Sequence, residues 1–257
     1  MIVDHNIYSN SSQEKADLRY LIPEDTYYHG HPEVVDWTSK FSTEAEKYEV
    51  FKNIHLALQK VDIGKANKVA TAWYEFTTFV PTFLSLAVVL TDDPERQHHL
   101  IQIAYDELGG QDKQYIHSKL FLDAIEKVNL SYKKDYEIVN IKNILEGLKN
   151  TLLNTKSQYG IVGLLLSFEI IAEENIETLF KGLCFDDNCI ALLSDTPFFE
   201  IHRADETEHI RHSVANFLRF CQTDESKKEF MISFEDGLNF WRNFWNYIAE
   251  NLSISTK

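Results

Sequence analysis

Glycine and proline are scarce, with 9 and 5 in 257 residues. Strand-rich folds need many tight turns, and turns draw on these two residues, so the scarcity argues against a sandwich or barrel and for long helices. Basic charge is also short: 25 Lys and Arg stand against 40 Asp and Glu, a net charge of −15. Nucleic acid and anionic membrane surfaces both ask for lysine and arginine, so neither is an expected partner. The acidity is read as serving solubility. Cysteine occurs three times, at Cys184, Cys189 and Cys221. An odd count in a chain of this length does not make a disulfide framework, and reduced thiols in a cytoplasm are expected. Cys184 and Cys189 are loosely spaced with no second pair, which favours ordinary thiols over metal ligands. The opening MIVDHNIYSNSSQEK lacks the basic start and apolar run of a secretory leader. The longest apolar stretch, Ile161 to Ile171, is interrupted by Glu169 and is too short to cross a bilayer, which needs ~20 residues.

What is present is helical pattern. Hydrophobic residues make up 44% of the chain, enough for one large domain. Residues 1–40 read as an N-terminal extension mixing Ser, Asn, His and Pro. Its Tyr27-Tyr28-His29-Gly30-His31-Pro32 has no helical period and reads as an exposed turn. Residues 41–257 are expected to form the helical domain. Its first helix starts at the capping-box-like Ser42-Thr43-Glu44-Ala45-Glu46 and runs to Val61. Lys65 to Leu90 is next, kinked at Pro81. Asp92-Asp93-Pro94 caps a third helix that passes Gly109-Gly110 and reaches about Val128. Tyr136 to Leu153, Ser157 to Lys181, Thr196 to Cys221 and residues 224–252 complete an all-α bundle of about seven helices.

Three patterns carry chemistry. In His202-Arg203-Ala204-Asp205-Glu206-Thr207-Glu208-His209, the spacing i, i+4, i+7 puts His202, Glu206 and His209 on one helix face. Imidazole with carboxylate suits iron, manganese or zinc. The bland alternative is a solvated charged face, to which Arg203, Asp205, Glu208 and Arg211 belong. Glu169 is a lone carboxylate in the apolar run from Gly163 to Ala172; burying it asks for a metal, a hydrogen bond or an ion pair. Glu107 and His117 are ten residues apart and converge only if the helix distorts, which Gly109-Gly110 permits. The alternative there is a break between two surface helices. His98 and His99 read as exposed, and His212 as off the triplet's face. Trp241 and Trp245 read as core, and Glu75 as either an extra carboxylate near the site or surface.

Taken in order, these motifs resemble the haem-oxygenase-like di-iron oxidases, the superfamily that includes the Chlamydia protein associating with death domains. Its members carry a Glu and a spaced His on the third core helix, a lone Glu in an apolar helix, and a final His-x3-Asp/Glu-x2-His. These match Glu107 with His117, Glu169, and His202, Glu206 and His209. The similarity spans about residues 42–220. Asp is usual where this chain has Glu206, so the neighbouring Asp205 is an alternative ligand. The resemblance implies a seven-helix, often homodimeric fold with two iron ions between its helices. It also implies dioxygen activation for N-oxygenation, carbon–carbon cleavage or p-aminobenzoate formation on a small-molecule substrate. Rival readings are a ferritin-like bundle using Glu95-x2-His98, a cofactor-free thiaminase-like or quinone-cofactor-oxidase-like enzyme of the same fold, and a non-catalytic helical interaction module.

Overall fold

A computed structural model describes residues 32–132, 139–155, 157–204 and 206–253, without the side chains of 139–140, 203–209 and 212. Among the described residues every regular element is helical. The α-helices are α1 Pro32–Glu46, α2 Lys52–Ala57, α3 Ile63–Val89, α4 Pro94–Glu107, α5 His117–Lys127, α6 Val139–Asn154, α7 Gln158–Glu169, α8 Ala172–Leu183, α9 Asp187–Ser194, α10 Pro197–Ala204, α11 Glu206–Phe220 and α12 Asp224–Ser253.

Several starts follow from side chains that accept the orphan N–H groups of a first turn. Asp62 Oδ1 accepts from the Lys65 amide at 2.8 Å, and Asp93 Oδ1 from the Arg96 amide at 2.9 Å, just ahead of Pro94. Ser157 Oγ accepts from Gly160 at 3.1 Å and Asp186 Oδ1 from Cys189 at 3.0 Å.

Three helices expected to be continuous are each divided. The first stops at Glu107, turns through Gly109 (φ +89°) and Gly110 (φ +59°), makes a 3₁₀ turn at Lys113–Tyr115 and resumes at His117. A Cβ on Gly109 would stand 2.6 Å from the Asp112 carbonyl oxygen, so only glycine fits this turn. The second breaks at Ile170-Ile171, and the segment expected as one helix from Ser42 to Val61 leaves α1 at Glu46 and resumes as α2 at Lys52. The short α9 was not expected. At the N-terminal end α1 already begins at Pro32, so Ser42 lies inside a helix and caps nothing. Val34 and Phe41 of α1 are buried, and Phe41 meets Phe217 edge-on at 5.1 Å. The packed helices therefore begin before residue 41. The loop containing His29 and His31, and the start expected at Tyr136, lie outside the described residues.

The centre of the molecule is α3, α7 and α12. Gly163 brings α7 against α12 so closely that a Cβ there would run into the Phe230 carbonyl oxygen. Trp241, Phe244 and Trp245 of α12 pack on Trp73 of α3 at 5.8–6.1 Å between ring centroids. The Trp245 indole N–H donates to Asn175 Oδ1 at 2.7 Å, which removes the cost of burying it. Helix α3 continues through Pro81. By length and composition α3 could cross a membrane, although Lys65, Lys68 and Glu75 hid this from a search for unbroken apolar runs. Here it is an interior helix, packed against α4, α8 and α12.

Candidate metal centre

Four of the six expected ligands face one cavity. Glu107, His117, Glu169 and His202 all line a space of about 330 Å³ walled by α3, α4 and α7. The break after α4 makes this possible, because it folds the chain back so that His117 Nδ1 lies 3.1 Å from Glu107 Oε2. The His117 and His202 rings meet edge to face at 4.9 Å. His202 Nδ1 lies 2.6 Å from the Phe198 carbonyl oxygen. That carbonyl can only accept, so the proton sits on Nδ1 and leaves Nε2 as the acceptor nitrogen, the form a metal requires. The side chains of Glu206 and His209 lie outside the described set, as does Asp205 altogether.

Three of the four described candidates sit at helix ends: Glu107 is the last residue of α4, Glu169 the last of α7 and His117 the first of α5. The two carboxylates thus stand where the negative end of a helix dipole disfavours them, a cost that a nearby cation would offset. His117 Nδ1 is buried and has no aligned hydrogen bond, despite its 3.1 Å contact with Glu107. Burial pushes the His117 pKa down, but the adjacent Glu107 carboxylate, helped by Asp106, outweighs this and the net shift is upward. Among the described residues no three His, Cys, Asp or Glu side chains are gathered tightly enough to enclose an ion. The donor types and the misaligned, buried Nδ1 nevertheless fit a metal: carboxylates and imidazoles aimed into one cavity are the ligands of iron, manganese and zinc.

A model of the iron-containing redox enzyme family matches residues 68–242. The chain belongs to this family. The matched span holds all six candidate ligands. No curated protein matches the chain. Among solved structures, the family member resembles a CADD-like protein of unknown function from Nostoc punctiforme PCC 73102, with a TM-score of 0.67 and 12% identity over 88% of this chain and 99% of that one. It also resembles a domain of unknown function with a heme-oxygenase-like fold from Shewanella denitrificans OS217, with a TM-score of 0.58 and 17% identity over 85% and 92%. A TenA homologue from P. horikoshii OT3 is similar too, at a TM-score of 0.58 and 11% identity over 85% and 99%. At these identities the likeness shows the fold, which is haem-oxygenase-like.

Other residues of this family member fall into place. Glu75 accepts from the Tyr132 hydroxyl at 2.6 Å and lies 3.9 Å from Lys142 Nζ, outside the cavity wall. The bond to Glu75, with burial, pushes the Tyr132 phenol up to about 12. Glu95 is held by Arg219 at 2.6 Å and His98 is exposed, so the ferritin-like pairing has no structural support. His99, expected to be exposed, is instead half-buried in the cavity wall. Trp245 is core as expected, whereas Trp241 also lines the cavity. The Trp73 and Trp241 indole nitrogens are buried without a hydrogen-bond partner. Sequence reasoning missed Arg96, His99 and Asp106 as wall residues. Their spacing from Glu107 along α4 was the available signal, since Arg96, Leu100, Ile103 and Glu107 recur every three or four residues.

Proposed function

We propose that this chain is a non-haem iron oxidoreductase whose two iron ions, held by Glu107, His117, Glu169, His202, Glu206 and His209, activate dioxygen to oxidise a small organic substrate. One observation supports this most: Glu107, His117, Glu169 and His202 line one largely apolar cavity, in a chain of the iron-containing redox enzyme family. Iron, when bound, supplies the electrons and open positions that dioxygen needs.

The protein's own contribution is positioning. Phe198 fixes the His202 tautomer through its carbonyl. Gly109 closes the turn that returns His117 to Glu107. Phe76, Phe83, Leu165 and Phe168 line the cavity and exclude water from its interior. Three carboxylates offset most of the charge of two ferrous ions, and three neutral imidazoles complete the set.

The test is anaerobic ferrous titration of the full chain, followed by metal analysis and oxygen uptake. Two equivalents bound, with oxygen consumption on mixing, are expected. Glu169→Ala and His117→Ala should each lower the stoichiometry. A folded protein that takes up no iron would favour a cofactor-free enzyme of the same fold, and retention of zinc alone would remove the redox reading.

A further inference from the structure

Arg96 is a cation in the cavity wall whose buried nitrogens have no acceptor. Its Nε and Nη1 atoms are shielded from water and make no hydrogen bond. Its guanidinium packs 3.9 Å from the centroid of Phe220 and 5.9 Å from that of Tyr159. The nearby carboxylates make no hydrogen bond to this guanidinium, although Asp93 favours its charged form through space. Asp93 Oδ1 accepts the Arg96 backbone N–H, and Glu95 Oε2 is held by Arg219 at 2.6 Å. Arg219 adds a second positive charge beside Phe220, 5.1 Å from its centroid, and its own Nη1 is buried without a partner. A charged donor taken out of water and left without an acceptor is costly, and an anion brought by a ligand removes that cost. Among the described residues Arg96 is the one Lys or Arg lining this cavity. One guanidinium matches one carboxylate, oxygen for nitrogen, better than it matches a dianion.

The helices set the distance from Arg96 to the Glu/His cluster. Arg96 and Glu107 share one face of α4, and eleven residues at 1.5 Å each separate them by about 16 Å along the axis. Helix α7 repeats the measure: Tyr159 lies beside Arg96, and Glu169 ends the helix about 15 Å further on. Between these ends the wall is mostly apolar, with Val80 and Phe83 from α3, Leu100 and Ile103 from α4, and Leu165 from α7, interrupted by His99.

We infer that Arg96 is the head-group subsite of this cavity: it binds the carboxylate of an amphiphilic acid whose apolar body runs towards Glu107, His117, Glu169 and His202. The carbon presented to the cluster is then remote from the carboxylate. The binding half of this statement stands without a metal, and only the choice of reacting end rests on the proposed iron centre.

Decanoate, decanol and decylamine are titrated into the metal-free full chain, followed by quenching of tryptophan fluorescence (Trp73 and Trp241 line the cavity) and by calorimetry. Decanoate is expected to bind about tenfold or more tighter than decanol, with decylamine weakest. Arg96→Gln should erase the preference for the acid while leaving decanol binding unchanged, and Arg96→Lys should recover part of it. Equal affinity for acid and alcohol in the unaltered chain overturns the inference, whatever the variants do. Orientation is read with manganese(II) loaded in place of iron. Nuclear relaxation of the decanoate methyl end should exceed that of its carboxylate carbon, and the reverse order would reject the assigned direction. If manganese does not bind, the metal reading suffers, and the metal-free titration still decides the role of Arg96.

Discussion

The α7–α12 pair and the α4–α5 junction both border the cavity, and they are built differently. The first is held by close approach at Gly163 and by Phe168 of α7 stacked on Phe240 of α12 at 5.7 Å, and the buried Trp245 indole of α12 is satisfied by Asn175 of α8. The second is a chain reversal: two glycines at positive φ, one 3₁₀ turn, and a histidine packed against a carboxylate. Dense packing gives a framework whose stability needs no ligand. Helix ends place polar groups where a framework alone leaves them poorly satisfied. The difference assigns stability to one region and chemistry to the other.

That division can be broken experimentally, and the core offers the largest effect. Phe244→Ala should cost about 3–5 kcal/mol in chemical denaturation, because a fully buried ring leaves a cavity. Iron bound per folded molecule should stay unchanged; a lower ratio would show that the two regions are not separable. Gly109→Ala should cost about 1–3 kcal/mol from its positive φ alone, more if the Asp112 carbonyl cannot shift. Unlike the core change, it should also lower iron uptake, and normal uptake would mean the turn does not position His117.

His117→Ala should move the stability of the metal-free protein by only about 1 kcal/mol while removing iron, the mirror image of Phe244→Ala. A smaller effect concerns pH. The folded-state pKa of His117 is raised, so its contribution to metal-free stability is complete below the unfolded value of about 6.5 and fades as pH climbs through the folded value. Iron needs the neutral imidazole, so its affinity should strengthen over the same rise. Melting curves of the metal-free chain against His117→Ala across that window, paired with iron titrations, check both signs. Finally, amide exchange of residues 107–117 should slow on iron loading while that of α12 stays constant. Equal protection of 107–117 with and without iron would count against a metal-ordered turn.

The helical class and several starts were legible because they depend on local chemistry. Asp93-Pro94, Ser157 and Thr196-Pro197 announce helix beginnings through caps and a fixed φ. The break at Gly109-Gly110 was half-legible: the glycines showed that the helix could distort, not that it would end. The break at Ile170-Ile171 left no local trace, since two isoleucines read as continuing helix, and tertiary packing ends it there. The same holds for the site. Residue types and order pointed to Glu107, His117, Glu169 and His202, and the fold brings these four to one cavity. Arg96 escaped notice because an arginine in an acidic chain reads as surface until its surroundings are seen.

If the proposed ligands are drawn from separate helices, there is a consequence for biogenesis. Glu107 and His117 leave the ribosome well before His202, and the full donor set exists only once residue 209 has been made. On the proposed reading, metallation is therefore post-translational. A cell short of iron would accumulate a folded, loadable reserve instead of a degraded one, because the α7–α12 framework forms without the ion.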